Sequence, residues 1–343
     1  MVSRIGILTG GGDCPGLNAA IRAVVRRADQ ANVMTFGFAA GWRGVLDASV
    51  EQLTLSSTRG LLHRGGTILG TSRVDPYREP DGVARIAQAL DVHRLDGLVV
   101  IGGEGTLSAA TRLADEGIPI VGIPKTIDND VAATELTIGF LTAVRTATEA
   151  VDRLHSTAES HNRVMVLEVM GRHAGWIATY AGMAGGADAI LVPEVPFDME
   201  AVGRHLRHRA GSGRDFSIVV VAEGALPREG TMEVPEPPKD EFGRPRLGGI
   251  GHAIAHEIEH RTGFPARVTI LGHVQRGGSP TPMDRVLATR MGVEAAELAM
   301  AGTWGRMTAF EHHEVVPVAL ADATAELKTV PASLYRVAET FFG

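Results

Sequence analysis

Thr126, Asp128 and Asp130 fall within one five-residue stretch, and two carboxylates at that spacing suit either proton transfer or metal binding. They lie in Pro124-Lys125-Thr126-Ile127-Asp128-Asn129-Asp130, directly after the apolar run Ile118 to Ile123. A buried strand that ends in a polar loop is where an open parallel α/β sheet places its ligand. Thr, Asp and Asn at a strand end also cap turns through side-chain hydrogen bonds to backbone. The functional reading gains weight because two similar elements precede it: Leu98 to Ile101 runs into Gly102-Gly103-Glu104-Gly105-Thr106, and Arg4 to Thr9 runs into Gly10 to Gly16.

Glycines between a strand and a helix start form a backbone cradle for phosphate, using free N–H groups and the helix dipole. The first loop has the spacing of neither a dinucleotide fingerprint nor a Walker A loop. Glu104 would repel phosphate unless a cation lay between them, which points to Mg²⁺; its bland role is to complement the positive end of the following helix. Gly and hydroxyl residues from Arg64 to Arg73 suit a loop over phosphates, with Arg73 able to bridge two of them. Arg172, beyond the strand Arg163 to Val169, is placed to meet a phosphoryl group in the transition state. Arg267, Thr269, His273 and Arg276 gather donors around the end of another strand, His273 and Arg276 in the loop beyond it, and suggest an anion pocket.

The elements that must position these groups read as α/β. Helices are expected over Leu17 to Arg27, Leu107 to Ala114 and Phe140 to Leu154, with further strands at Ala187 to Val192 and Ser217 to Val221. Thr231 to Pro245 is the most linker-like segment, and the tail from about Ala301 reads as a small elaboration. With 343 residues the chain can build two lobes around a large core. No apolar run of about 18 residues is present, so no membrane span is expected, and the N-terminus does not resemble a secretory leader. A net charge of −7 argues against nucleic-acid binding. One cysteine, Cys14, allows no intrachain disulfide; with no His or Lys beside it in sequence it reads as a small neutral filler, and a cytoplasmic protein is expected.

Gly-Gly-Asp-x-Pro-Gly-x-Asn, Gly-Gly-Glu-Gly-Thr, Pro-x-Thr-Ile-Asp-Asn-Asp, Glu-Val-Met-Gly-Arg, Ala-Glu-Gly and Leu-Gly-His-x-Gln-Arg-Gly-Gly together resemble the 6-phosphofructokinase family, in family order from about Arg4 to Arg285. The resemblance implies two doubly wound α/β lobes with largely parallel sheets and an active site in the cleft between them. It implies a nucleotide-binding lobe over 1–140 and 276–325 and a sugar-phosphate lobe over 141–275 and 326–343. The implied reaction is phosphoryl transfer from ATP, with Mg²⁺, to the 1-hydroxyl of fructose 6-phosphate. Asp128 is then the base, and Thr126, Ile127 and Asp130 help place the hydroxyl and the metal. Gly12, Arg73, Val74, Gly103, Glu104, Gly105 and Thr106 match nucleotide-binding positions, Glu104 being the metal-linked acid, usually Asp. Met170, Gly171 and Arg172 match the positions for the sugar and the transferring phosphoryl group, and Glu223 the acceptor for a sugar hydroxyl. Arg163, Arg267, His273, Val274, Gln275 and Arg276 match the 6-phosphate region. In relatives Arg163 and Arg267 come from a neighbouring subunit, so a homodimer or homotetramer is implied.

Two positions bear on the donor. Pyrophosphate users resemble one another in carrying Asp where Gly105 stands, and Gly105 leaves room for a nucleotide α-phosphate. Lys125 matches pyrophosphate users, so the chain is of mixed type; Gly105 is weighted more because exclusion is harder to evade than an extra flexible cation. Arg22 and Arg26 fall where some bacterial relatives bind a regulatory nucleotide, but His155 replaces an Arg of those relatives.

Overall fold

The computed structural model describes residues 2–234 and 247–342. Of the expected linker Thr231 to Pro245, residues 235–245 lie outside the described residues. Among the described residues the strands are β1 (Arg4–Thr9), β2 (Met34–Phe38), β3 (Val50–Leu53), β4 (Gly97–Gly102), β5 (Ile120–Pro124), β6 (Val164–Val169), β7 (Ala189–Leu191), β8 (Ser217–Ala222), β9 (Ala266–Ile270), β10 (Arg306–Glu311) and β11 (Glu314–Ala319). They form a seven-stranded sheet in the order β11-β10-β5-β4-β1-β2-β3 and a four-stranded sheet in the order β7-β8-β6-β9. The chain divides into two compact units, residues 1–142 with 276–328 and residues 143–275 with 329–343.

In the first unit β1, β2, β4, β5 and β10 run parallel, and β3 and β11 add antiparallel edges. β4 and β5 are buried at every position, as apolar strands covered on both faces must be. Leu17–Gln30 is helical because Leu17, Ile21, Val24, Val25 and Ala28 recur at helical spacing and are all buried. The second unit's sheet is parallel throughout, and β6 and β8 are fully buried at its centre.

Two buried carboxylates hold helix starts. Asp284, fully buried, accepts from the Gly139 and Thr142 N–H groups and the Thr142 hydroxyl, and so caps the helix Phe140–His161. Glu168, 2% exposed on β6, accepts from the Gly249 and Gly251 N–H groups at the start of the helix Ile250–Thr262. Both satisfy donors that helix ends leave unpaired and place negative charge at the positive end of the dipole.

Three expectations need correction. The helix after β4 begins at Glu104, not Leu107, because extended Gly103 serves as its N-cap and Glu104 occupies the first turn. The helix expected to end at Leu154 continues to His161. The tail beyond Ala301 is no small elaboration, since β10 pairs with β5 in the main sheet.

Asp284→Ala should lower stability by about 2 to 4 kcal/mol, because several buried donors lose their acceptor together. Urea unfolding that returns the wild-type midpoint would contradict this role.

Candidate active site

β1, β4 and β5 are neighbours in the first sheet, so their C-terminal loops meet. Lys125 fastens them. Its side chain is 2% exposed, and its Nζ donates to Gly10 O at 2.8 Å and Gly12 O at 2.6 Å, while its own N–H donates to Gly102 O at 2.8 Å. Burial pushes the ammonium pKa down, against the pull of Cys14 and Asp128 and with the push of Arg276. The sequence suggested a flexible cation; in the structure Lys125 is a fixed strut beneath the first glycine loop.

Thr106, 7% exposed, fills the space between that loop and β4: a Cβ on Gly10 would lie 2.7 Å from it and one on Gly102 2.4 Å. The loop from Arg64 to Val74 is tied down as well. Asn18 donates to Arg64 O and Gly65 O and accepts from Ile68 N–H, Gly11 N–H donates to Ser72 O, and the Thr71 hydroxyl donates to Gly11 O. Val74 packs on the first unit's core and Arg73 stays exposed. Glu104 and Gly105 are exposed in the first turn of the helix Glu104–Asp115, and a Cβ on Gly105 would meet nothing within 4 Å.

The loop after β5 is held from several sides. Asp128 is 4% exposed and its N–H donates to the Thr126 hydroxyl at 3.1 Å. Asn129 adopts a left-handed conformation (φ 53°), rare for a residue with a side chain. Its amide donates to Glu135 O at 3.2 Å and accepts from Thr137 N–H at 3.0 Å, and the Thr137 hydroxyl donates to Thr126 O at 2.7 Å. Ile127, buried, points the chain back into the core.

In the second unit the ends of β6 and β8 build a separate constellation. Arg172 is also left-handed (φ 53°), and its N–H donates to the Glu223 carboxylate at 3.2 Å. Gly171, at φ 146°, and Gly224 permit the close approach; a Cβ on Gly224 would lie 1.7 Å from Arg172 O. Met170 N–H donates to Gln275 Oε1 at 3.3 Å, and Gln275, fully buried, donates to Gly272 O at 3.1 Å. His273 to Arg276 belong to a short 3₁₀ helix, Gly272–Arg276, rather than a loop, with His273 and Val274 exposed on it.

The expected anion pocket is not gathered within one unit. Arg163 precedes β6 and Arg267 sits opposite Met165 on edge strand β9, so both stand at the N-terminal ends of parallel strands. Met170 to Arg172, Glu223 and His273 stand at the C-terminal ends, about 20 Å away along a strand of this length. Arg267 is exposed and its Nη1 donates to Ala266 O at 2.6 Å. Arg276 lies against the first glycine loop, donating to Asp13 O at 3.2 Å, where a Cβ on Gly12 would meet its Nη1 at 2.4 Å.

A family model for phosphofructokinase matches residues 4–299. The chain belongs to the phosphofructokinase family. It is 54% identical over 342 residues to pyrophosphate–fructose 6-phosphate 1-phosphotransferase of Streptomyces coelicolor, covering 99% of this chain and 100% of the relative. It is also 54% identical over 338 residues to ATP-dependent 6-phosphofructokinase 3 of the same organism, covering 98% and 99%. Among solved structures, phosphofructokinase from Saccharomyces cerevisiae superposes with a TM-score of 0.81 at 32% identity, over 99% of this chain and 46% of the yeast chain.

Sequence reasoning missed Lys328, whose Nζ donates to Thr134 O and Glu135 O beside the Asp128 loop; its distance along the chain from that loop left no local signal. It also missed Glu168, although that residue opens one of the motifs. His155 is engaged with Gly185 O at 2.6 Å, while Arg26 is exposed and Arg22 half-buried on one helix. Among the described residues no helix is long and apolar enough to cross a membrane.

Cys14 is fully buried, donates to Ile138 O, and has its thiol pKa pushed up to about 12, chiefly by burial, although Lys125 lies near it in space. Since thiolate is the reactive form, the folded chain should not react with a disulfide reagent at pH 8, and denaturant should expose one thiol. Fast native-state labelling would contradict the buried, neutral assignment.

Proposed function

We propose that this chain transfers the γ-phosphoryl group of ATP to the 1-hydroxyl of fructose 6-phosphate, giving fructose 1,6-bisphosphate, in the cytoplasm. The observation that carries the reading is Asp128, a nearly buried carboxylate in a loop fastened from several sides, at strand ends shared with two glycine turns. Phosphoryl transfer asks for positioning and charge neutralisation more than covalent help. Asp128 takes the proton as the sugar oxygen attacks phosphorus, and the bond to the β-phosphate oxygen breaks. Thr126 orients the loop through Asp128 N–H, and Gly12, Gly103, Glu104, Gly105, Thr106, Arg73 and Val74 border the nucleotide. Met170, Gly171 and Glu223 hold the sugar, and the guanidinium of Arg172 neutralises the moving phosphoryl group.

The residues fit Mg²⁺ carried on the donor. Among the described residues there is no group of three or more metal-ligating side chains, and Glu104 offers one exposed carboxylate, which suits an ion coordinated mainly by phosphates and water. Mg²⁺ bound there supplies neutralisation of charge on the phosphate oxygens.

ATP is assigned as donor on the open space around Gly105. The relatives named above carry both donors at equal identity. Lys125, the feature matching pyrophosphate users, supports a second reading, but its ammonium is engaged with two backbone carbonyls under the glycine loop. Arg163 and Arg267 are assigned to the 6-phosphate of a neighbouring subunit's sugar, supported by their place at the far ends of β6 and β9. His273, Val274, Gln275 and Arg276 serve the same chain's sugar phosphate. A homodimer is the smallest assembly that completes a site.

Asp128→Asn should leave both KM values near wild type and cut kcat by about 10²- to 10⁴-fold, the usual share of a general base; wild-type turnover would remove the base role. Coupled assays with each donor should give the higher kcat/KM with ATP. Gly105→Asp should fold normally and raise the KM for ATP at least about tenfold through charge repulsion. A higher kcat/KM with pyrophosphate in the wild type would reverse the donor assignment.

A further inference from the structure

The tail segment ending the first unit reaches the Asp128 loop with no role yet assigned. Leu327 bridges Val131 in antiparallel fashion, and Lys328 N–H donates to Asp130 O at 3.1 Å. The side chain then turns across the same excursion of chain: its Nζ donates to Thr134 O at 2.7 Å and Glu135 O at 3.0 Å. Glu135 O is the carbonyl that also accepts from the side chain of Asn129, the left-handed residue between the two carboxylates. Strand β10 fixes the excursion from its other side, because Phe310 N–H donates to the Thr134 hydroxyl and Glu135 N–H donates to Phe310 O.

We propose that Lys328 is a positioning residue for phosphoryl transfer, its ammonium clamping the Thr134 and Glu135 carbonyls so that Asn129 holds Asp128 and Asp130 in place. Lys328 acts through the loop and touches no reacting atom. A misplacement on the order of 1 Å at a reacting centre costs about 10²-fold in rate, so a clamp one residue removed from the base can matter strongly.

The charged groups that face this ammonium are Asp130, from the loop itself, and Glu135, from the excursion behind it. Burial lowers the Lys328 pKa to about 7, and both carboxylates oppose that fall.

Because this assignment rests on the phosphoryl-transfer reading, its test includes a readout independent of turnover. Lys328→Met, which keeps the apolar stem, and Lys328→Arg, which keeps the charge, would be compared with wild type by steady-state kinetics at pH 6.5. Thermal melting and amide hydrogen exchange over residues 128–137 complete the set. Lys328→Met is expected to lose about 10- to 100-fold in kcat at pH 6.5 with both KM values within about threefold, and to exchange faster over 128–137. Lys328→Arg, which keeps the cation, is expected to keep at least about a third of the rate. A folded Lys328→Met with wild-type kcat and exchange overturns the proposal. Should that variant not fold, a Lys328→Gln variant with wild-type kcat and wild-type exchange over residues 128–137 overturns it. Absence of sugar phosphorylation by the wild type would strike the functional reading alone, since the exchange comparison would still report on the clamp.

Discussion

One buried ammonium, that of Lys125, governs how the strand ends of the first unit can be arranged. Taking a charge out of water is costly unless partners replace the lost hydration. Here those partners are the carbonyls of Gly10 and Gly12, which must turn inward to supply it. With its carbonyls turned inward, the first glycine loop is held in one shape, and Asn18, Thr71 and Ser72 secure the neighbouring Arg64–Val74 loop to the same framework. The Asp128 loop grows directly from the same strand. The turn proposed to cradle phosphate and the carboxylate proposed to take a proton are thus fastened to one point.

The second unit solves a similar problem with backbone rather than charge. Arg172 stands in a conformation that costs roughly 1 to 3 kcal/mol for a residue with a side chain. Its N–H is received by Glu223, and Gly224 leaves the room its carbonyl needs. Asn129 shares that conformation at lower cost, since Asn tolerates it better than most residues, and is held in it by hydrogen bonds to Glu135 and Thr137. In both places an unfavourable backbone conformation sits beside a group proposed to meet the transferring phosphoryl or its acceptor.

Much of this was legible in the sequence, because apolar runs that end in Gly, Asp or Thr mark parallel strands and their loops. β1, β4, β5, β6 and β8 fall where such runs predict them, and the motif residues lie at their ends. Asn18 shows what a motif alone does not reveal: the residue was conspicuous, but its task of pinning the Arg64–Val74 loop depends on partners about 50 residues away. Lys125 was visible as a type and misjudged as flexible, because burial depends on what packs around a side chain. Arg267 reads as a member of one anion pocket with His273 and Arg276, yet it stands near the start of β9, whereas His273 lies beyond its far end. Sequence spacing conveys periodicity, whereas sheet order and end-to-end polarity come from pairings between distant segments.

The closure of the Asp128 loop by β10 and by Lys328 also fixes when the chain can become an enzyme. Residues 128–135 emerge from the ribosome long before residues 310 and 328 that fasten them, so those bonds can form only after most of the second unit has been made. A nascent or prematurely ended chain can carry every glycine turn and both carboxylates and still lack the bonds that fix the Asp128 loop. Fastening of that loop therefore waits for the last segment of the first unit.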